Sequence, residues 1–344
     1  MRPLRHILDR ARAADRHVVL AEGEDRRIQE AAREAVAQGL ARITLLGDPA
    51  LILPALGAFG DRIAVIDPRQ APDLSRYAAH YLDRRRHKGI TAAQAIDAAQ
   101  QPLNFAALMV ACGDADGTVA GAVATTADTV RAALTVIGKA PGVETVSSFF
   151  LMLACESFHQ QPGGMIFADC GLVIDPTASE LAAIAQSSAQ SAQSLLGEIP
   201  QVALLSFSTV GSAEHPRVEK VREALTLLRQ RAPDLTVDGE LQFDAAFESA
   251  VRKAKAPDSR LIDRPNVFVF PNLDAGNIGY KIAQRIGQLQ AIGPVLQGLA
   301  KPANDLSRGC TAEDVLGMIA VTAVQAQDAA EQRKTAQKFH CNSN

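Results

Sequence analysis

Two stretches near the start of the chain decide the fold class: His17-Val-Val-Leu-Ala and, four residues later, Arg26-Arg-Ile-Gln-Glu-Ala-Ala-Arg-Glu-Ala-Val. The first is an apolar run with two valines, which is typical of a buried strand. In the second, Ile28, Ala32 and Val36 recur at helical spacing and form one apolar face. A buried strand followed by an amphipathic helix predicts the first β–α pair of an α/β fold.

The same alternation continues along the chain. Apolar segments typical of strands, most of them followed by helix-like segments, recur at residues 41–46, 117–123, 165–168, 202–207 and 267–270. The Ser/Gln-rich stretch 185–194 keeps its alanines at helical spacing, so it predicts a helix with a polar solvent face. This order of elements predicts an α/β protein with mainly parallel sheets covered on both faces.

The length of 344 residues corresponds to about two domains at roughly 150 residues per domain. Turn-forming residues at Pro141-Gly142 and Gly293-Pro294 mark candidate crossings between them. We therefore predict a first α/β domain of residues 1–144 and 295–344, to which the chain returns after a second α/β domain of residues 145–294.

The composition excludes several classes of protein. Hydrophobic residues make up 47% and charged residues 21%, which is enough apolar material for a folded core and excludes wholesale disorder. The 35 basic and 38 acidic residues give a net charge of −3, so no global positive field favours nucleic acid. With 12 Phe, 3 Tyr and no Trp, a stacking surface for bases is not expected. Small anions or flexible substrates fit this composition better.

Cysteines and the N-terminus indicate a cytoplasmic protein. The five cysteines are odd in number and widely spaced, so we expect no disulfide framework. The N-terminus lacks the apolar core of a signal peptide, and the apolar run at residues 149–154 is about a third of a membrane span. The histidines form no HxxxH or HxH pair, so we predict no metal site. We also predict no membrane partner.

The densest polar segment runs from residue 293 to residue 314. Ser307 supplies a hydroxyl, Arg308 a fixed cation and Asp314 a carboxylate in the first turn of the last helix, with Thr311 as its N-cap. These are the groups needed to hold an anion and to move a proton beside it. The alternative is that the acidic residues only complement a helix N-terminus. The segment alone does not decide between the two.

Other loops place polar groups after predicted strands, where open α/β sheets collect ligands. Residues 206–217 form a Ser/Thr/Gly loop before a helix, and residues 238–246 carry acidic groups. Asn277 and Lys281 lie four residues apart, hence on one helical face. Caps and solvated surface charges are the alternative for each loop. Further candidates are Thr126 and Arg131 in Thr125-Thr-Ala-Asp-Thr-Val-Arg, and the basic run Arg84-Arg-Arg-His-Lys-Gly.

Taken together, these segments resemble the phosphate acetyltransferase (phosphotransacetylase) family of the phosphate acetyl/butyryltransferases. The motifs that carry the resemblance, in order, are Ser206-Phe-Ser-Thr-Val-Gly-Ser-Ala, Asp238-Gly-Glu-Leu-Gln-Phe-Asp-Ala-Ala, Phe270-Pro-Asn-Leu-Asp-Ala-Gly-Asn-Ile-Gly-Tyr-Lys, Gly293-Pro-Val-Leu-Gln-Gly-Leu and Asn304-Asp-Leu-Ser-Arg-Gly-Cys. The resemblance implies reversible transfer of an acetyl group between acetyl phosphate and coenzyme A (CoA), with release of inorganic phosphate. It also implies a two-domain αβα fold like that of isocitrate and isopropylmalate dehydrogenases, with the active site in the interdomain cleft, and a homodimer.

The resemblance further implies roles for individual residues. Asp314 would be the general base for the CoA thiol, Arg308 would hold phosphate or the developing oxyanion, and Ser307 would donate a hydrogen bond to the same centre. Cys170 matches a cysteine near the family's site, although Gly-Leu-Val-Ile-Asp after it is less polar than is usual there. The expected substrate-binding residues are Arg131, Arg85 (with Arg84 and Arg86 adjacent), Thr126, Cys170, Asn277 and Lys281.

Three alternatives stay open at this point. The close competitor is an enzyme for longer acyl phosphates such as butyryl phosphate. A second is a non-catalytic acyl-CoA-sensing domain like the one fused to malic enzymes, and a third is a dehydrogenase of the related fold. Because acetyl phosphate is already activated, we expect no cofactor and no metal, with CoA as a substrate.

Overall fold

The structure is a computed structural model that describes residues 2–57, 60–159 and 162–341, with side chains for 3–57, 61–159 and 162–334. The chain divides into two compact units. The first unit comprises Ile7–Pro141 and Leu299–Asn344, and the second comprises Met1–His6 and Gly142–Gly298. Residues 1–6, 142–144 and 295–298 therefore belong with the second unit, where the predicted domains placed them in the first.

The strands, in chain order, are β1 Arg16–Leu20, β2 Ala41–Leu46, β3 Ile63–Ile66, β4 Gly117–Ala120, β5 Ser147–Ala154, β6 Gly163–Ala168, β7 Gln201–Leu205, β8 Thr236–Leu241, β9 Val267–Val269, β10 Gln290–Gln297 and β11 Ala303–Asp305. The α-helices are α1 Arg2–Ala14, α2 Arg26–Ala37, α3 Pro49–Leu56, α4 Leu74–Arg85, α5 Ala92–Ala99, α6 Pro102–Cys112, α7 Thr126–Val136, α8 Ala178–Leu196, α9 Pro216–Arg231, α10 Phe243–Phe247, α11 Ser249–Lys255, α12 Leu273–Arg285 and α13 Ala312–Cys341.

The first unit contains a five-stranded sheet in the order β11-β4-β1-β2-β3, and every pairing is parallel. Its core is apolar and includes an edge-to-face contact between Tyr77 and Phe105, with ring centroids 5.0 Å apart. Leu20 pairs with Val119, and Asp305 pairs with Ala120. Because these three neighbouring strands end level with one another, the loops that follow them lie side by side.

The second unit contains a six-stranded sheet in the order β10-β5-β6-β9-β7-β8. The pairs β10–β5 and β5–β6 are antiparallel, whereas β6–β9, β9–β7 and β7–β8 are parallel. The core holds several phenylalanines, and Phe150 stacks on Tyr280 with ring centroids 3.8 Å apart. The prediction of mainly parallel sheets is therefore confirmed, since all four pairings of the first unit and three of the five in the second are parallel.

Most predicted elements are confirmed. The strand at residues 41–46 has the predicted bounds, and the predicted helices at residues 26–36 and 185–194 correspond to α2 and to part of α8. Helix α8 has a capping box between Thr177 and Glu180, a start signal that lies upstream of the low-complexity stretch.

Three features differ from prediction. The strand expected at 117–123 ends at Ala120, since Gly121 has a φ of 106° and turns the chain. The strand expected at 202–207 ends at Leu205. Gly293-Pro294 is not a turn between domains but lies inside β10, where the register with β5 shifts between Ile292 and Val295. A Cβ at Gly293 would lie 2.6 Å from Cδ1 of Phe150, so only glycine fits this close approach.

Candidate active site

The first loop of the site follows β4 and surrounds an internal carboxylate. Oε2 of Glu22 accepts hydrogen bonds from the amides of Gly121 and Ala122 at 3.0 and 2.7 Å. Oε1 accepts hydrogen bonds from the amides of Val123 and Ala124 at 3.0 and 2.7 Å. Successive amides that converge in this way form an anion-binding nest. The protein fills this nest with its own side chain, which fixes the loop at residues 121–124.

The second loop of the site is the predicted Ser307–Asp314 segment, which lies between β11 and α13. The amide of Cys310 donates to the carbonyl of Ser307 at 2.9 Å, which closes a turn. Ser307 and Arg308 are exposed at this turn. The prediction that Thr311 caps the helix and Asp314 lies in its first turn is confirmed. The Thr311 amide and hydroxyl donate to Oδ2 of Asp314 at 2.8 and 3.0 Å, and the Asp314 amide donates back to the Thr311 hydroxyl.

A single side chain joins the two loops. Nη1 of Arg27 donates to the carbonyl oxygen of Arg308 at 2.8 Å and to that of Cys310 at 3.1 Å, while Nη2 donates to that of Ala122 at 2.8 Å. The Ser307–Cys310 turn and the loop at residues 121–124 are therefore held on either side of one guanidinium group.

A cavity of about 670 Å³ opens beside the loop at residues 121–124 in the first unit. Glu22, Val123 and Ala124 form part of its wall, and Arg85 and Arg131 supply positive charge. This volume is within the usual range for small-molecule sites. The cavity can therefore admit an extended anionic ligand.

The three adjacent arginines at the end of α4 have different surroundings. Arg85 lines the cavity. Arg86 pairs with Asp83 at 3.1 Å on the surface, and the guanidinium of Arg84 lies against the backbone at Gly138. These positions favour Arg85 as the substrate-binding residue of the run.

Helix α7 presents Thr126 and Arg131. Thr125 caps the helix and donates its hydroxyl to Oδ2 of Asp128 at 2.8 Å, while Nη1 of Arg131 donates to Oδ1 at 2.5 Å. The Thr125 hydroxyl and the Arg131 guanidinium hold the pKa of Asp128 below its usual value. The Arg131 side chain is still 69% exposed, so its remaining N–H groups can reach a ligand.

A buried carboxylate lies beneath the loop at residues 121–124. Asp305 ends β11 with no exposed surface, and neither of its oxygens has a hydrogen-bond partner of good geometry among the described residues. Burial raises its pKa from 3.8 to about 6, against the opposing effect of the Thr126 and Thr129 hydroxyls. A Cβ at Gly121 would lie 2.2 Å from Oδ1 of Asp305, so this close approach requires glycine.

The other three predicted site residues lie in the second unit. The Asn277 side-chain amide donates to the carbonyl of Cys170 at 3.0 Å. A Cβ at Gly276 would lie 2.2 Å from the Asp169 carbonyl oxygen, so glycine lets α12 approach this loop. Asn277 and Lys281 share α12 as predicted, and Lys281 lies exposed with Nζ 5.8 Å from the Tyr280 ring centroid.

The Cys170 thiol is not activated in this environment. The side chain is fully buried and contacts the Phe167 carbonyl oxygen at 3.3 Å. Burial, with a smaller contribution from the Asp169 charge, raises the pKa of the thiol well above its usual value. Since a thiolate is needed for nucleophilic attack, the geometry does not support Cys170 as a nucleophile.

The Ser206–Ala213 motif has a structural explanation in the second unit. Glu240, which is 2% exposed, accepts the Ser208 hydroxyl at 2.8 Å and the Gly211 amide at 2.9 Å. Nε of Arg222 donates to the other Glu240 oxygen at 2.8 Å. These donors bind an internal carboxylate instead of an external anion. The hydrogen bonds connect Ser208 and Gly211 of the first motif to Glu240 of the Asp238 motif.

Within the described residues, no three or more His, Cys, Asp or Glu side chains are grouped so that they could hold a metal ion. Among those same residues, no helix is long and apolar enough to cross a membrane. Cys112, Cys155, Cys170 and Cys310 are free thiols in the structure.

The structure places Ser307, Arg308, Asp314, Arg85, Arg131 and Thr126 in the first unit, and Cys170, Asn277 and Lys281 in the second. Sequence reasoning missed Glu22, Arg27 and Asp305. Glu22 lies between the first predicted strand and helix, and Arg27 lies in the first turn of that helix. Polar residues after a predicted strand were the signal used elsewhere in the chain. The same signal, applied to the loop after β1, would have identified Glu22 as a candidate.

The chain is similar in sequence to known proteins along nearly its whole length. The sequence model of the Phosphate acetyl/butaryl transferase family matches residues 3–323. A Phosphate acetyltransferase from Paracoccus denitrificans is 58% identical over 325 residues, covering 94% of this chain and 99% of that protein.

Two solved structures are similar along nearly the whole chain. The phosphotransacetylase from Streptococcus pyogenes superimposes with a TM-score of 0.87 at 42% identity, covering 94% of this chain and 97% of that one. The phosphotransacetylase from Staphylococcus aureus has a TM-score of 0.85 at 41% identity, with coverages of 94% and 98%. Given this agreement in sequence and fold, the chain belongs to the phosphate acetyl/butaryl transferase family.

Proposed function

We propose that this protein is a phosphate acetyltransferase, an enzyme that transfers an acetyl group reversibly between acetyl phosphate and CoA. The observation that carries the proposal is the 58% identity, over 94% of the chain, to a Phosphate acetyltransferase. The cavity in the first unit, with Arg85 and Arg131 in its wall, supports it, since both substrates are phosphate esters or anhydrides.

In the proposed reaction, Asp314 is the general base. A thiol with a pKa near about 8.5 is mostly protonated at neutral pH, so attack requires a proton acceptor. The carboxylate of Asp314 takes that proton as the CoA sulfur forms a bond to the acetyl carbon. The bond between that carbon and the phosphate oxygen then breaks, phosphate leaves with the electron pair, and the proton passes from Asp314 to phosphate or water.

The capping box suits Asp314 to this role. Oδ2 is held by Thr311, which fixes the carboxylate plane at the start of α13. The other oxygen, Oδ1, makes no hydrogen bond within the described residues, so it can accept the thiol proton. The helix-capping interpretation and the catalytic one are therefore compatible, since each uses a different oxygen.

Arg308 and Ser307 act on the acetyl phosphate in this proposal. The exposed guanidinium of Arg308 stabilises the negative charge that develops on the carbonyl oxygen and the departing phosphate, and the Ser307 hydroxyl donates to the same centre. Arg85 and Arg131 bind the phosphates of CoA in the cavity. Thr126, at the N-terminus of α7, is a further proposed substrate contact. Asn277 and Lys281 of the second unit stay proposed substrate contacts, whereas the Cys170 side chain is fully buried and makes no such contact.

The proposal extends to the state of the protein. We propose that the protein is a cytoplasmic homodimer. We also propose that its reaction needs no cofactor or metal, because the leaving group of acetyl phosphate is already activated. Mass photometry at nanomolar concentration measures the mass, for which we expect a dimer of the 36.5 kDa chain. Activity that survives dialysis against EDTA supports the metal-free reaction, and loss that Mg²⁺ restores contradicts it.

One assay tests the activity. Purified protein is mixed with CoA and acetyl phosphate, and thioester formation is followed by ultraviolet absorbance. We expect acetyl-CoA and inorganic phosphate in equal amounts. Absence of turnover together with binding of acetyl-CoA supports a sensor domain instead. A kcat/KM for butyryl phosphate above that for acetyl phosphate identifies a longer-chain enzyme.

A further inference from the structure

The loop between β1 and α2 carries an ion pair that the proposed chemistry does not use. Asp25 caps α2, and its carboxylate holds the Arg27 guanidinium through Nε at 3.0 Å and Nη2 at 2.8 Å. This bidentate contact sets the plane of the guanidinium. The Asp25 hydrogen bond also raises the pKa of Arg27, so the side chain stays charged at any assay pH.

All five N–H donors of Arg27 have acceptors. Two go to Asp25, two from Nη1 go to the Arg308 and Cys310 carbonyls, and one from Nη2 goes to Ala122. A guanidinium presents its five donors as a rigid planar fork, whereas an ammonium group has three donors at one point. Only arginine can therefore serve these acceptors together.

The turn that Arg27 contacts carries the proposed catalytic side chains. Hydrogen bonds within the Ser307–Cys310 turn are local, from the Cys310 amide to the Ser307 carbonyl and from the Gly309 amide to the Ser307 hydroxyl. Ser307, Arg308 and Gly309 are exposed. The hydrogen bonds from Arg27 therefore anchor the turn to the loop at residues 121–124, across 281 and 95 residues of sequence.

We propose that Arg27 is a positioning residue of the acyl-transfer site, which fixes the Ser307–Cys310 turn so that the side chains of Ser307 and Arg308 are preorganised for the reaction. The inference rests on the proposed function. Arg27 acts through main-chain oxygens and does not itself contact substrate in this account. A displacement of about 1 Å in a reacting group can cost roughly 100-fold in rate, which is the scale of effect expected when the anchor is removed.

The test compares Arg27→Gln and Arg27→Lys with the matched control Arg26→Gln, which removes the same charge from the exposed neighbouring side chain. We expect kcat for acetyl transfer to fall roughly 10- to 100-fold in both Arg27 variants. We expect the KM for CoA to stay within about threefold, since Arg85 and Arg131 bind CoA in the proposal. The control should keep the kcat of the unmodified protein.

A double-mutant cycle with Arg308→Ala separates positioning from a general effect on stability. If Arg27 acts through the turn that carries Arg308, then Arg27→Gln lowers kcat little further once Arg308→Ala is present. We expect the double variant to lie within about threefold of Arg308→Ala alone. If Arg27 had only a structural role, the fold-decreases in kcat caused by Arg27→Gln and by Arg308→Ala would multiply in the double variant. This result would overturn the proposal.

Other outcomes are equally decisive. Unchanged kcat in Arg27→Gln, or recovery of full kcat in Arg27→Lys, overturns the proposal, the second because charge alone would then suffice. If circular dichroism shows both variants unfolded at the assay temperature, Arg27 serves the fold and the proposal is wrong. If the unmodified protein itself does not transfer acetyl groups, the proposed function fails first, and the two failures are thereby distinguished.

Discussion

Asp314 and Thr311 exchange hydrogen bonds at the start of α13, and Oδ2 of Asp314 accepts both the amide and the hydroxyl of Thr311. These hydrogen bonds cap the N-terminus of the helix. They leave Oδ1 of the same carboxylate without a hydrogen-bond partner within the described residues. The same side chain can thus stabilise a helix and accept a proton, which makes its two roles separable by substitution.

Asp314→Asn should lower kcat for acetyl transfer by roughly 100- to 10,000-fold, because the amide cannot accept the thiol proton. The amide oxygen still accepts the Thr311 hydrogen bonds, so the melting temperature should change by only a few degrees. The matched control is Glu313→Gln, which removes the exposed neighbouring charge. Near-normal turnover in Asp314→Asn would show that another group is the base.

Arg85→Gln and Arg131→Gln should each raise the KM for CoA about tenfold or more, since a charge-assisted hydrogen bond contributes roughly 1.5–3 kcal/mol. Arg86→Gln is the control, because Arg86 pairs with Asp83 on the surface outside the cavity. Steady-state kinetics at varied CoA measure the effect. An equal rise in KM for Arg86→Gln would reassign the site to another arginine of the run.

Asp305 should make stability depend on pH. Its pKa is raised in the folded protein to about 6, so the folded state binds the proton more tightly than the unfolded state. The corresponding stabilisation is complete below pH 3.8 and is lost as pH rises through about 6. The change from 3.8 to 6 corresponds to roughly 3 kcal/mol.

The variant Asp305→Asn removes this titration. Relative to the unmodified protein, its free energy of unfolding should improve by roughly 2 kcal/mol from pH 4.5 to pH 7.5, measured by urea denaturation. Asp97→Asn, an exposed acid in the same unit, should show no such trend. A constant difference at both pH values would contradict the prediction.

Asp169→Ala should destabilise the second unit. The buried carboxylate accepts the Ser148 hydroxyl and amide and the amides of Gly171, Leu172 and Val173. Because these buried donors lose their acceptor, the free energy of unfolding should fall by roughly 3 kcal/mol or more. This corresponds to a fall in Tm of about 6 °C or more. Differential scanning calorimetry measures the fall.

The control for this substitution is Asp175→Ala. Its carboxylate is 76% exposed and pairs with Lys220 at 2.6 Å, so its loss should cost about 1 kcal/mol or less. Equal effects of the two substitutions would show that the number of buried donors around Asp169 does not determine its contribution.

The parts of the fold that the sequence predicts correctly are those with local signals. Strand β2 and helix α2 have strong apolar patterns, and both are found at the predicted positions within a residue. Strand β11 is only three residues long, so its pattern is too short to distinguish from a loop. Strand β10 contains Gly293-Pro294, and the sequence signal for a turn is the same whether the pair ends a strand or makes a bulge within one.

The sequence by itself determined the α/β class, the alternation of strands and helices, and the motifs that indicate the family. Each of these signals lies within a continuous stretch of residues. Only the tertiary structure decided that Glu22 holds the loop at residues 121–124 and that Arg27 holds the turn after Ser307. The parallel order β11-β4-β1 brings together loops that are as much as 281 residues apart. The groups they share are main-chain amides and carbonyls, which every residue possesses, so no pattern of residue types can reveal these contacts.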